Sequence, residues 1–299
     1  LTPYRKQIAT AAVAAVVAVV VGAFVDDYVL VDYFALATLA GFAGFRRAPL
    51  GDYTSAAKQL ALVALLFMAV SYGFTIEKAL LFRFRAPHDA QIVALEQLLF
   101  GTEPHKAIAR WAAARPTVVA AADHVYYYLF HHMAVVSAFF IGARDSRRRA
   151  QFLASLALCY WIGGVAYYVW PGAGPGYFDP DTYKFLGTQP LETNYFRVLL
   201  YRNTAAVVSG KAGSFETYDY VACMPSLHMA HELVMLYFAR SSRLFFFLSF
   251  LFTAFTAFAV VALGWHYPID IVFGAVVAAT AIAIAHWQRD RLFPAGVLR

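Results

Sequence analysis

Eight apolar runs, most of them long enough to cross a bilayer, set the pattern of the chain. They occupy roughly 8–25, 28–45, 59–82, 117–142, 150–170, 225–240, 243–264 and 267–287. About 18 apolar helical residues cover the hydrocarbon core, at about 1.5 Å of rise each. The pattern therefore predicts an all-α integral membrane protein with about eight transmembrane helices. Two polar stretches interrupt it. Between the third and fourth runs, 83–116 mixes Leu95, Leu98, Leu99, Phe100, Ile108 and Trp111 with charges, which predicts one or two interfacial amphipathic helices. Between the fifth and sixth lies 171–224, the longest polar connection. It opens Pro171-Gly172-Ala173-Gly174-Pro175-Gly176, which cannot continue a helix. The first run could pass for a signal peptide, but it has no convincing small-residue cleavage site and a second run follows at once. It reads as a span.

Composition agrees with this picture. Of 299 residues, 61% are hydrophobic and 14% charged, against about a quarter charged in soluble domains. No repeat and no low-complexity segment is evident. The net charge of +6 does not call for nucleic acid in a membrane protein, where basic residues set topology and attract anionic lipid. Arg5 and Lys6, then Arg46, Arg47 and Lys58, then Arg144, Arg147, Arg148 and Arg149, then Arg240 and Arg243, then Arg289, Arg291 and Arg299 all fall on one side of an eight-span chain. That side is expected to be cytoplasmic, with both termini on it. The remaining basic residues lie in or beside the two long segments, where they could serve an anionic ligand. The two cysteines, Cys159 and Cys223, match no metal spacing and read as packing residues.

Two histidines then draw attention. Met224-Pro225-Ser226-Leu227-His228 opens the sixth run and His266-Tyr267-Pro268-Ile269-Asp270 opens the eighth. Both runs cross in the same direction, so both histidines should lie at one depth, near the non-cytoplasmic face. His266 and Asp270 are four apart and share a helical face, with Pro268 suited to a first turn. A carboxylate beside an imidazole can hold one ring N–H and leave the other nitrogen free as a nucleophile. The N–H groups that begin the sixth run, with the Ser226 hydroxyl, can receive an anion. His228, beside them, can carry a proton. An anion cradle, an oriented nucleophile and an acid suit displacement at phosphorus.

Pro225-Ser226-Leu227-His228, followed 38 residues later by His266 and then Asp270, resembles the second and third motifs of the type 2 phosphatidic acid phosphatase superfamily. Those motifs are written P-S-G-H and S-R-x-x-x-x-x-H-x-x-x-D. Leu227 in place of glycine resembles the branch containing inositol phosphorylceramide synthases. The resemblance implies a six-span catalytic core over 59–299, with 83–116 and 171–224 as extracytoplasmic segments and 1–58 as a two-span extension. It implies that His266 forms a phosphohistidine, that Asp270 orients it, and that His228 protonates the leaving group and then deprotonates water or an alcohol. Ser226 and the amide at Leu227 would bind phosphate oxygens. No cofactor and no metal are implied.

The family's first motif, K-x-x-x-x-x-x-R-P, is missing. Arg115-Pro116 occurs before a different run, with Ile108 at the lysine position, and Val260 replaces the third-motif arginine. Other cations must then meet the phosphate charge. Lys211 and Arg202 are the first candidates, followed by Arg197 and Lys184. Tyr267, Arg197 and His131 are candidates for contact with the rest of the substrate. Asp123, His124, His131 and His132 flank three tyrosines in the fourth run. They suit a head-group lining or helix packing better than a metal site, for which further ligands are not evident. His231 and Glu232 read chiefly as structural.

These residues predict an enzyme that moves a phosphoryl or phospho-head-group unit to or from a membrane lipid, with an alcohol or water as acceptor. A synthase-like phosphotransferase is slightly favoured over a lipid phosphate phosphatase. A non-enzymatic lipid carrier is the rival, although no inverted repeat supports it. The expected setting is a bacterial inner membrane with the site facing the periplasm.

Overall fold

The computed structural model describes residues 81–82, 84–129, 131–133, 136, 146–211 and 221–287. Among them the secondary structure is helical, without strands. Eight helices carry the architecture: α1 (Asp89–Phe100), α2 (Pro104–Ala113), α3 (Pro116–Tyr127), α4 (Ser146–Val169), α5 (Asn194–Val208), α6 (Leu227–Ala239), α7 (Arg243–Ala262) and α8 (Pro268–Trp287). Two single-turn helices and a 3₁₀ segment lie in the connection between α4 and α5.

Local sequence explains the boundaries. Pro104, Pro116 and Pro268 occupy first turns, where a missing N–H costs nothing. Ser226 and Ser242 are N-caps whose hydroxyl oxygens accept from Met229 N–H and Phe245 N–H. Gly101 ends α1 in the left-handed region, with φ 68°.

Gln151–Val169 within α4, together with α7 and α8, are long and apolar enough to cross a membrane, as expected of an integral membrane protein. The predicted sixth run is a 13-residue helix, α6, about 20 Å long. It falls short of a full span because the Ser226 cap starts it late and the turn at Arg240-Ser241-Ser242 stops it. The fourth run begins with the 12-residue α3, and its later part lies mostly outside the described residues. The runs at 8–25 and 28–45, the 1–58 extension and all but the end of 59–82 also lie outside them.

α6 is central. It packs against α4, α7 and α8, while α8 also lies along α4 and α7 along α3. Its buried side chains Leu227, Ala230, Val234, Met235 and Phe238 join Phe152, Leu156, Cys159 and Tyr160 of α4 and Val277, Ala278 and Ala281 of α8 in one apolar core. Several polar groups inside the bundle are paired. Glu232, fully buried, accepts from His132 Nδ1 at 3.0 Å and from Thr253 Oγ1 at 2.9 Å. His231 donates to the Leu156 carbonyl and packs on Tyr160.

The stretch 83–116 forms α1 and α2. α1 is reversed relative to a water-exposed amphipathic helix: Asp89, Ile92 and Glu96 are buried, while Leu98, Leu99 and Phe100 are exposed.

Leu227, the departure from the family's glycine, has its own niche. A Cβ at Gly163 of α4 would lie 2.3 Å from Leu227 Cδ2 and 2.9 Å from its Cγ. The glycine that the second motif lacks is thus matched by one on the facing helix. Helix propensity alone would make Gly163→Ala stabilising by up to about 1 kcal/mol. Overpacking against Leu227 should reverse the sign and cost about 1–3 kcal/mol. Thermal unfolding in detergent is expected to show this loss, and a much smaller one when Leu227→Ala is also present.

Candidate active site

Two turns deliver the histidines. His228 is the second residue of α6, and His266 ends the turn between α7 and α8. Their rings meet edge to face, with His228 Nδ1 2.9 Å from His266 Nε2. His266 is 2% exposed, so little water reaches the nitrogen that faces its partner.

The tautomer of His266 follows from its other nitrogen. Nδ1 lies 2.8 Å from the carbonyl oxygen of Cys223 and 3.4 Å from Asp270 Oδ2. A carbonyl can only accept, so Nδ1 carries hydrogen and Nε2 presents a lone pair. His228 Nδ1 then donates to that lone pair. The Cys223 carbonyl makes the shorter bond. Asp270, the orienting group the spacing suggested, is the more distant acceptor for Nδ1, and the same oxygen takes Tyr267 N–H at 2.8 Å. The backbone of α8 is tied to the other turn by Ser226 N–H, which donates to Asp270 O at 3.0 Å. Gly274 allows this approach: a Cβ there would lie 2.5 Å from Ser226 O.

Ser226 is fully buried. Its oxygen caps α6, and its hydroxyl hydrogen remains a donor at the start of that helix. Leu227 turns its side chain toward Gly163, leaving only its amide to serve an anion. Tyr126 lies beside His228, with ring centroids 5.3 Å apart, and stacks on Trp265 at 5.2 Å. The candidate cations divide. Lys184, Arg202 and Lys211 are exposed, whereas Arg197 is buried on α5. Arg197 donates from Nη1 to Leu263 O at 2.5 Å and lies over the Trp265 ring at 4.9 Å. It therefore reaches the turn that leads to His266. His131 sits among Tyr127 and Tyr128. Tyr267 is fully buried, and its single O–H goes to Asp89. Asp123 accepts from the amides of Glu192 and Thr193 and from the Thr193 hydroxyl, fastening the connection to α3. Among the described residues no three His, Cys, Asp or Glu side chains gather as a metal site.

Sequence reasoning missed the second tier of the site. Asp89 accepts from Ala173 N–H at 2.8 Å, Gly174 N–H at 2.9 Å and Tyr267 O–H at 3.0 Å. Glu96 accepts from Ile269 N–H at 3.2 Å, at the start of α8, and pairs with His105 Nδ1 at 2.8 Å. His105 stands edge-on to the Tyr267 ring. The available signal was the spacing of Asp89, Ile92 and Glu96, which places two acids and an isoleucine on one helical face.

A family model for the PAP2 superfamily matches residues 90–284. The chain belongs to the PAP2 superfamily, the type 2 phosphatidic acid phosphatases and their relatives. No curated protein and no solved structure was found to match it. Membership suggests phosphatase or phosphotransferase activity on lipid-like phosphates.

Burial pushes the Asp89 carboxyl up to about 6 from 3.8, against the opposing effect of its hydrogen bonds. A group whose folded pKa is raised binds more protons in the folded state, so its contribution to stability falls as pH rises through this window. The stability advantage of wild type over Asp89→Asn should therefore shrink between pH 4 and pH 7, by about 3 kcal/mol at most. Thermal unfolding of the two proteins across that range checks the sign.

Proposed function

We propose that the chain is a membrane enzyme that transfers a phosphoryl or phospho-head-group unit to or from a lipid through a phosphohistidine at His266. The single observation that carries this reading is the 2.9 Å contact between His228 Nδ1 and His266 Nε2, with His266 Nδ1 held by a carbonyl.

The chemistry follows from that geometry. The His266 Nε2 lone pair attacks phosphorus, an N–P bond forms, and the P–O bond to the leaving group breaks. Protonated His228 gives its Nδ1 proton to the departing oxygen and becomes neutral. An incoming water or alcohol then passes its proton to His228, its oxygen attacks phosphorus, and the N–P bond breaks. His266 keeps its Nδ1 hydrogen on the Cys223 carbonyl throughout. Attack requires nitrogen and phosphorus about 3–3.5 Å apart, so the phosphoryl group must enter between the two rings and part them. The Ser226 hydroxyl and the first amides of α6 receive its oxygens. Of the candidate cations, Arg197 is favoured, because its helix brings it to the 263–265 turn; Arg202 and Lys211 remain candidates from the same connection.

A synthase-like transferase, resembling inositol phosphorylceramide synthases, is the favoured form of this activity. Leu227 supports it, as does the 2% exposure of His266, since an alcohol acceptor needs protection of the intermediate from water. The lipid lies in the bilayer, and in this reading the site faces the periplasm of a bacterial inner membrane.

Purified protein supplied with ³²P-labelled lipid phosphates is expected to form an acid-labile, base-stable label that His266→Ala abolishes. His228→Ala should lose about 10²–10⁴-fold in turnover of alkyl phosphates. It should lose far less with p-nitrophenyl phosphate, whose leaving oxygen needs no proton. A label or a turnover that persists in His266→Ala would remove the phosphohistidine. Turnover is further expected to survive EDTA and to be inhibited by vanadate. Arg197→Ala should lower kcat/KM about 10-fold, and more than Arg202→Ala or Lys211→Ala, in the same assay.

A further inference from the structure

The nucleophile's turn is fastened by an element outside the family's histidine motifs. α1 lies far upstream in sequence, yet its Asp89 is 1% exposed and faces the start of the 171–176 run. One carboxylate there satisfies three donors from two segments: the amides of Ala173 and Gly174, and the Tyr267 hydroxyl. Both segments lead to His266. Along one arm, Gly172 O accepts from Cys223 N–H at 2.9 Å, and the carbonyl of the same Cys223 holds His266 Nδ1. Along the other arm, Tyr267 is the next residue after His266. The run also reaches the turn before the nucleophile, since Gly176 N–H donates to Gly264 O at 2.9 Å.

The glycines make this packing possible. A Cβ at Gly172 would lie 2.5 Å from Cys223 Sγ, and one at Gly174, with φ +89°, would lie 2.9 Å from Trp265 O. The run is therefore more than a chain reversal. It is a spacer of fixed thickness between Asp89 and the backbone on either side of the histidine.

We propose that Asp89 is a positioning residue for His266, acting through the glycine run and the Tyr267 hydroxyl to hold the imidazole on the Cys223 carbonyl with Nε2 toward His228. Glu96, two turns along the same face, supports this by accepting Ile269 N–H at the start of α8. Asp89 touches neither ring. It acts on direction and tautomer, so its loss should lower the chemical step and leave substrate affinity nearly unchanged.

The inference rests on His266 being the phosphorylated residue, and the test separates the two. Full-length wild type, Asp89→Asn, Tyr267→Phe and His266→Ala are purified in detergent. Each is assayed with the same ³²P-labelled lipid phosphate, and rates are normalised to the folded fraction. ¹⁵N-histidine spectra report the tautomer of His266, whose signals are those missing from His266→Ala. An asparagine amide offers one acceptor oxygen to three donors and turns its NH₂ toward one of them. Asp89→Asn is expected to lose at least 10-fold in kcat with KM changed less than threefold. Its His266 signals should move from a pure Nδ1–H form toward a mixture. Tyr267→Phe keeps the ring and removes one of the three bonds. It is expected to lose kcat about threefold or more with the same direction of spectral change, and it carries the test alone if Asp89→Asn does not fold. Folded variants with wild-type kcat and an unchanged His266 tautomer overturn the positioning role. Phosphoryl transfer by His266→Ala would instead overturn the reading on which it rests.

Discussion

The bond from His266 Nδ1 to the Cys223 carbonyl is the constraint on which the site depends. It joins two turns 43 residues apart in sequence, and it decides where the lone pair of the imidazole points. A carboxylate can accept from an imidazole at rest and can also take its proton; a carbonyl can do only the first. With the carbonyl at 2.8 Å and Asp270 at 3.4 Å, the tautomer is set chiefly by backbone. Asp270 then acts on the same turn from a second direction, through Tyr267 N–H and through its own carbonyl, which accepts Ser226 N–H. The histidine motifs are held in register by these backbone bonds as much as by apolar packing.

Much of this was legible in the sequence. Proline and histidine at the starts of two apolar runs, and the four-residue step from His266 to Asp270, pointed to two imidazoles that meet, and their ring nitrogens lie 2.9 Å apart. The long apolar runs gave α4, α7 and α8, because length and hydropathy alone define a spanning helix. The length of α6 was less legible. An apolar run reads the same whether it spans or stops, and the stop here comes at the turn Arg240-Ser241-Ser242. The cations were least legible. Lys211, Arg202 and Arg197 share one stretch of sequence, but the face of α5 that packs under the 263–265 turn includes only Arg197.

The acids of α1 were hidden for a physical reason. An amphipathic helix beside a membrane is ordinarily read with its apolar residues inward and its charges outward. α1 does the reverse, burying Asp89 and Glu96 and exposing Leu98, Leu99 and Phe100. The reversal is sensible where the neighbouring surface is lipid and the groups to be satisfied are backbone. The 171–176 run and the start of α8 present amides that no helix or sheet can take up, and a buried unpaired amide is costly. Carboxylates, with two oxygens each, satisfy several such donors at once.

The same logic bears on how an anion could enter a site that buried acids surround. Both oxygens of Asp89 and one oxygen each of Glu96 and Asp270 accept from N–H or O–H donors of the turns around His266, so much of their charge is already engaged. The start of α6 is the opposite kind of surface. There the first amides and the Ser226 hydroxyl are donors, and His228 adds a positive charge when protonated. A phosphoryl group arriving between the rings would meet donors ahead of it and carboxylates behind His266. In the proposed chemistry, that separation of sign across a single imidazole favours attack by Nε2. It also explains why Leu227 can replace glycine without blocking the cradle: its side chain leaves the donor side altogether and fills the space that Gly163 keeps open.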